Sequence, residues 1–325
     1  MDWIENLQNA IDYIEENITQ KIDYEEVAKR AYSSTFHFQR VFGIMCGFTL
    51  GEYIRRRKLT LAGNDLLSKK MKVIDVAFKY GYETPESFSR AFYKFHGIMP
   101  SQVKKFCSLK SFSRLSVKPG FIGGNEMNYK IEEKPEIIFV GYKKRFTGVP
   151  YGEERVKQEE AFLTSTRAKQ WLLIGASCDY STDYMVITNI DDDGYDFYVA
   201  YELDEWTRKE LFNPNVTGVD FMDKMGFETI VVPKQTYVVF ETEKKKRPIA
   251  DYTDLRKKIV TEWLPTSDFI FANAPEVVAM HWRPDGEWAK ERYIEICLPI
   301  ENKKYDQSLI FIKTGIYPRA WIYAC

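Results

Sequence analysis

Two Phe-x-Arg-x-Phe triplets, Phe38–Arg40–Phe42 and Phe88–Arg90–Phe92, stand fifty residues apart, and each is followed five residues later by a glycine, Gly47 and Gly97. In the second copy, Phe88, Ala91, Phe92 and Phe95 recur at three- and four-residue spacing and share one buried helical face. Glu86, Ser87 and Arg90 fall elsewhere, leaving a short polar surface with one guanidinium, the kind of surface a helix lays against DNA. Thr84 suits the cap of that helix, Pro85 its first position and Gly97 the left-handed residue that ends it. Sliding the chain by fifty residues also sets Tyr53 on Val103. Two copies are too few for a solenoid, which needs about three or more units, so a pair of similar helical units is implied.

The elements that must carry these triplets follow from the flanking pattern. Trp3, Leu7, Ile11, Ile14 and Ile18 form one stripe of a first amphipathic helix over residues 2–18. Asp23 with Glu26 reads as a capping box opening a short helix to Ala31, and Ser33 or Ser34 caps the next, whose apolar face is Phe38, Val41, Phe42 and Met45. Helix, short turn, helix is a helix-turn-helix unit. Thr49 with Glu52 opens a longer helix to about Leu67 that carries the run Arg55–Lys58. A short helix over Val73 to Lys79, the second triplet helix and a last one from Ser101 to about Phe106 complete this half.

The chain of 325 residues, 45% hydrophobic and 15% aromatic, is long enough for two or three cored domains. Its net charge of −1 hides a split: residues 1–115 hold 18 Lys and Arg against 13 Asp and Glu, and the remainder holds 28 against 34. A basic front half and an acidic back half fit a nucleic-acid partner for the front. Five scattered cysteines, with no C-x-x-C and only three histidines, read as reduced thiols with no metal or other cofactor. With no charged-then-apolar leader and no long apolar run, the expectation is a cytoplasmic protein without a membrane partner.

The pattern from Gly81 to Pro100, G-Y-x-x-x-x-x-F-S-R-x-F-x-K-x-x-G-x-x-P, resembles the AraC/XylS family of transcription regulators, and the resemblance covers about residues 3–108. It implies an all-α domain of two helix-turn-helix units joined by a long helix, whose recognition helices enter two adjacent major grooves about 34 Å apart. By position it assigns Phe36, Gln39 and Arg40 to the first reader and Glu86, Ser87 and Arg90 to the second. Arg suits guanine, Gln adenine, Glu the cytosine amine and Phe the thymine methyl, while either Arg also suits a phosphate. His37 reads as a packing residue between helices.

Residues 109–128 lose helical periodicity and gather Ser, Lys and Gly, as a linker does. From Tyr129 short β-rich runs take over, 137–146, 184–190, 197–203, 228–233, 235–242, 277–282 and 293–300, interrupted by helical stretches over about 154–173 and 252–264. An α+β domain with duplicated strand-strand-helix-strand-strand halves is expected over 129–301. Pro233 to Phe240, Glu262 to Pro265 and Tyr293 to Ile300 resemble the GyrI-like effector-binding domain, so the whole chain resembles the Rob-type architecture. That resemblance implies a small cationic or aromatic amphipathic effector in a cleft, met by an acid at the position of Glu295. The candidate aromatics are Trp171 and Tyr237 first, then Tyr198, Trp263, Trp282 and Tyr293. Residues 302–325 extend past the module.

The function implied is a sequence-specific transcription regulator, in the activator sense also a partner of RNA polymerase, with a ligand-sensing back domain. Two readers in one chain let a monomer span a site. Two alternatives are a DNA-binding protein without a ligand and a small-molecule hydrolase using Glu295 as base with Tyr237; with no second acid or nucleophile–base pair, no catalytic residue is assigned.

Overall fold

The computed structural model describes residues 3–68, 71–106, 109–117, 127–151, 153–282 and 291–303. Its front half is helical: α1 (Trp3–Glu16), α2 (Tyr24–Arg30), α3 (Thr35–Cys46), α4 (Leu50–Ser68), α5 (Val73–Lys79), α6 (Pro85–His96) and α7 (Val103–Phe106). The two triplet helices start and stop alike. Ser34 caps α3 by accepting from the His37 N–H and Thr84 caps α6 by accepting from the Ser87 N–H, while Gly47 and Gly97 close them at φ 76° and 81°. Both glycines stand in the left-handed region, where a Cβ would be strained.

Leu7, Ile11, Ile14, Val27, Phe38, Phe42 and Tyr53 form the core of the first unit, and Leu59, Leu66, Val76, Phe88, Phe92 and Val103 that of the second. Helix α4 contributes to both and so spaces them. Its cations divide their work: Arg56 pairs with Glu52, Arg57 with Glu15, and Lys58 donates to the Gln20 carbonyl. Residues 109–117 carry no regular element but are not a free tether. The Phe112 N–H donates to Thr60, the Leu115 N–H to the Tyr53 hydroxyl and the Val117 N–H to Gln8, and all three side chains pack on the first unit.

The back half is built on one antiparallel sheet of β1 (Tyr129–Lys134), β2 (Ile137–Thr147), β3 (Thr182–Thr188), β4 (Gly194–Glu202), β5 (Glu228–Val232), β6 (Gln235–Glu241), β7 (Phe269–Phe271), β8 (Glu276–His281) and β9 (Tyr293–Asn302). The strand order is β1-β6-β9-β8-β3-β4-β2-β5, with β7 against β9. Exchanging β1 with β5, β6 with β2, β9 with β4 and β8 with β3 reproduces that order, so the duplicated halves meet along the β3–β8 seam. One half supplies α8 (Glu153–Ser165) and α9 (Arg167–Ala176), where a single helix is expected from sequence; the chain breaks at Thr166, whose hydroxyl turns back to the Phe162 carbonyl. Between β4 and β5 lie the short α10 (Pro214–Thr217) and α11 (Phe221–Met225). The other half supplies α12 (Ile249–Lys258), continued as a wider turn over Ile259–Trp263 and α13 (Leu264–Thr266).

Strand side chains alternate between faces. Met185, Ile187, Phe197, Val199, Val238, Phe240, Val278, Met280, Ile294 and Ile296 point to the helix-covered face. Val186, Tyr198, Tyr237, Val239, Val277 and Cys297 point to the other. This parity decides which residues reach the cleft between the helices.

Candidate DNA-reading surface and effector cleft

The open surface of α6 is what the sequence leads one to expect. Phe88 and Phe92 are buried, Glu86 and Arg90 are exposed and Ser87 is half-buried, its hydroxyl donating to the Thr84 carbonyl. Pro85, Glu86, Ser89, Arg90, Tyr93 and Met99 line one shallow open surface. A free guanidinium on such a face can approach base edges or phosphates without rearrangement.

The equivalent surface of α3 is covered. Its stripe of Phe36, Gln39, Arg40, Gly43 and Ile44 faces the back domain rather than solvent. Arg40 is 2% exposed, and its Nη2 lies 2.5 Å from Oε2 of Glu276, which is 0% exposed at the start of β8. The Arg40 guanidinium also lies over the Phe271 ring, and its Nε donates to the Tyr151 hydroxyl at 3.3 Å. Gln39 donates to Asp192 Oδ1, and the Gly51 N–H at the start of α4 donates to the same oxygen. The Thr49 hydroxyl bonds the Asp192 carbonyl, and Phe36 packs on the back-domain core.

His37 corrects the sequence reading in detail. It packs, but against the back domain rather than between helices: Nδ1 accepts the Phe271 N–H at 3.0 Å and its ring lies 5.5 Å from that of Phe271. Burial, followed by the nearby charges of Arg40 and Lys303, pushes its pKa down to about 4, so the ring is neutral as an acceptor must be.

On the same face of the sheet, α8, α9 and α12 enclose a cleft of about 720 Å³. Its wall includes Tyr151, Arg155, Asp183, Tyr252, Arg256 and Trp282, and Ile44 to Gly47 of α3 close one side. Asp183 is a buried acid that accepts from the Tyr201 hydroxyl at 2.7 Å and from Gln170 at 3.3 Å. Arg155 pairs with Glu159 and donates to the Pro150 carbonyl and the Tyr252 hydroxyl. Arg256 pairs with Oε1 of Glu276, whose other oxygen Arg40 holds. Burial lowers the Arg256 pKa, and the neighbouring charges of Arg155 and Arg40 act in the same direction.

Of the seven residues assigned to the effector by sequence, the structure brings only Trp282 to this cleft. Glu295 lies on the opposite face: it alternates with the inward Ile294 and Ile296 on β9 and sits near His281 Nε2 (3.3 Å) and Lys130 Nζ (3.5 Å). The His281 contact outweighs the opposing effect of burial and holds its carboxyl below the usual range, and Lys134 and Lys130 add to that. Tyr198, Tyr237 and Tyr293 share that face; Tyr198 receives Lys143, Tyr237 donates to the Pro275 carbonyl and Tyr293 stacks on His281. Trp263 is core packing beside Phe240, Phe269 and Tyr129. Trp171 is 71% exposed on the outer side of α9. Tyr151, Tyr252 and Asp183 line the cleft instead: Asp183 keeps the parity of Met185 and Ile187, whereas Glu295 breaks that of Ile294 and Ile296.

A pair of helix-turn-helix units spaced by one helix, with an exposed polar recognition face, defines a DNA-binding regulator with two readers in tandem. Residues 27–105 match the family model described as a helix-turn-helix domain. The chain is 36% identical over 98 residues to the regulatory protein SoxS of Salmonella typhimurium, covering 30% of this chain and 92% of SoxS. It is 38% identical over 89 residues to the HTH-type transcriptional activator AarP of Providencia stuartii, covering 27% of this chain and 66%, just under two thirds, of AarP. The chain belongs to the AraC family of helix-turn-helix transcription regulators. The solved structure of SAV2435 bound to tetraphenylphosphonium aligns with 54% of this chain and 94% of its own length at 13% identity, with a TM-score of 0.40.

Proposed function

We propose that the protein is a one-component transcription regulator: residues 1–108 read DNA with α3 and α6, and residues 129–301 form a GyrI-like domain that binds a small effector in the cleft. The observation that carries the first part is the open α6 face with Arg90 at its centre, whose arginine recurs as Arg40 at the equivalent place of α3. Glu86, Ser87 and Arg90 would read one half-site and Phe36, Gln39 and Arg40 the other, about one helical turn away, so a monomer suffices.

For the effector, Tyr151, Tyr252 and Trp282 line the cleft with the guanidiniums of Arg256, Arg155 and Arg292 over their rings, and Asp183 adds a buried carboxylate, a set that suits an amphipathic aromatic ligand with a polar end. We read the back domain as a binding module rather than an enzyme, because the tyrosine and acid proposed for hydrolysis, Tyr237 and Glu295, lie on the face away from the cleft. The activator sense, with RNA polymerase as partner, follows AarP's description as an activator, and a cytoplasmic location follows from the DNA partner. No described helix is long and apolar enough to cross a membrane, and no described group of side chains is arranged to hold a metal.

Selection from random duplexes tests the DNA reading. Two short motifs one turn apart are expected, and no enrichment overturns it. A thermal-shift screen with cationic aromatic compounds tests the cleft, with Trp282→Ala and Asp183→Asn expected to abolish the shift of any hit.

A further inference from the structure

We propose that the back domain latches the first reader shut: the structure is a closed state in which α3 is withheld from DNA, and release of α3 is a condition of binding a full two-motif site. The proposal rests on the reading above that α3 and α6 are both readers. Arg40 and Arg90 occupy equivalent places in the repeat, yet Arg90 is open and Arg40 is buried under Glu276. A helix whose reading stripe is packed against protein cannot enter a major groove.

The contacts that cover α3 stand where DNA groups would. A carboxylate holds the Arg40 guanidinium as a guanine edge or a phosphate would. Asp192, within the acidic run Asp191 to Asp193, puts its carboxylate on the Gly51 N–H at the start of α4 while also receiving Gln39. Helix N-termini present N–H groups to phosphates in the same way. An acidic loop and a buried acid of the back domain thus occupy the anion positions of one reader and leave the other free. The central carboxylate is also one side chain away from the cleft, since Arg256 both pairs with Glu276 and lines it.

The geometry supplies a lock for the test. A Cβ built on Gly43 would lie 3.5 Å from the Val149 Cβ, inside the range of about 3.5–4.5 Å that a disulfide spans. The Gly43→Cys/Val149→Cys full chain, its bridge identified by mass spectrometry and each single variant used as control, is footprinted on the selected two-motif duplex before and after reduction. When oxidised, it should protect only the motif read by α6 and lose at least about tenfold in affinity relative to the Gly43→Cys single variant, because one of two linked readers is removed; reduction should restore protection of both motifs to the level of that single variant. Protection of both motifs by the oxidised protein at undiminished affinity overturns the proposal. So does failure of the bridge to form under mild oxidation, which leaves the DNA reading intact. Asp192→Ala, in a surface loop away from the cores, should bind the duplex several-fold more tightly than wild type, and unchanged affinity counts against the latch. A selection that enriches nothing removes the DNA reading itself, and the yield of the bridge then reports docking alone.

Discussion

Arg40 and Glu276, 236 residues apart in the chain, meet at 2.5 Å with both side chains all but sealed from water. A buried pair of this kind need add little net stability, because both charges are desolvated, but removing one partner leaves the other stranded. Glu276 compensates two guanidiniums, Arg40 and Arg256, so its loss strands both.

Glu276→Ala should therefore destabilise the chain by about 3–5 kcal/mol. Glu276→Gln, which keeps acceptor capacity, should cost less. Chemical denaturation with both variants checks the order, and equal stability of Glu276→Ala and wild type would mean that the pair is not buried in solution.

Arg90→Ala leaves the fold untouched, since Arg90 is exposed. If Arg90 reads a base, binding to the selected duplex should weaken by about 1–3 kcal/mol with relaxed preference at one position. If it holds a phosphate, the loss should be uniform across sequences and the salt slope should fall by about 1. Titrations by fluorescence anisotropy at several salt concentrations separate the two outcomes.

His37 gives the docked state a pH signature. Its pKa is about 4 when docked, against an ordinary value of about 6.5 when free. Above about pH 6.5 the ring is neutral in both states and docking is unaffected. As pH falls from about 6.5 towards 4, protons bind the free form preferentially, so docking loses stability through that window. An NMR titration should place the His37 midpoint near 4; a midpoint near 6.5 would show the ring exposed to water.

Glu295→Gln should leave any thermal shift from a cleft ligand unchanged, because Glu295 stands on the far face with His281 and Lys130. Its own contribution is to pH stability. With a carboxyl held below its ordinary pKa, the wild type should lose stability relative to the variant as pH falls from the ordinary carboxylate range through the lower folded value. Thermal melts of the two proteins across that range read the difference.

What could be read in advance follows from the range of the interactions. Caps, stops and the aromatic stripes of α3 and α6 are local, encoded within four residues, and they appear at Ser34, Thr84, Gly47 and Gly97 as the sequence implies. Most strands are legible for the same reason, but β1 and β7 are not: β1 carries the charged pattern YKIEEK at the sheet edge, and β7 is only three residues long. The covering of Arg40 was not legible, because its partner is distant in sequence and a lone Glu before a β-run has no signature. The lining of the cleft is less local. A one-residue change of parity moves a strand side chain to the other face, so Asp183 reaches the helix-covered face while Glu295 stands on the opposite one.

Ile44 to Gly47 are lent to the cleft by a different domain. The cleft is therefore an assembled container, with part of its rim brought in by the front half of the chain. An excised back-domain fragment would present an open trough there, and compounds screened against it would be ranked without that rim. Ligand discovery for this protein belongs with the intact polypeptide.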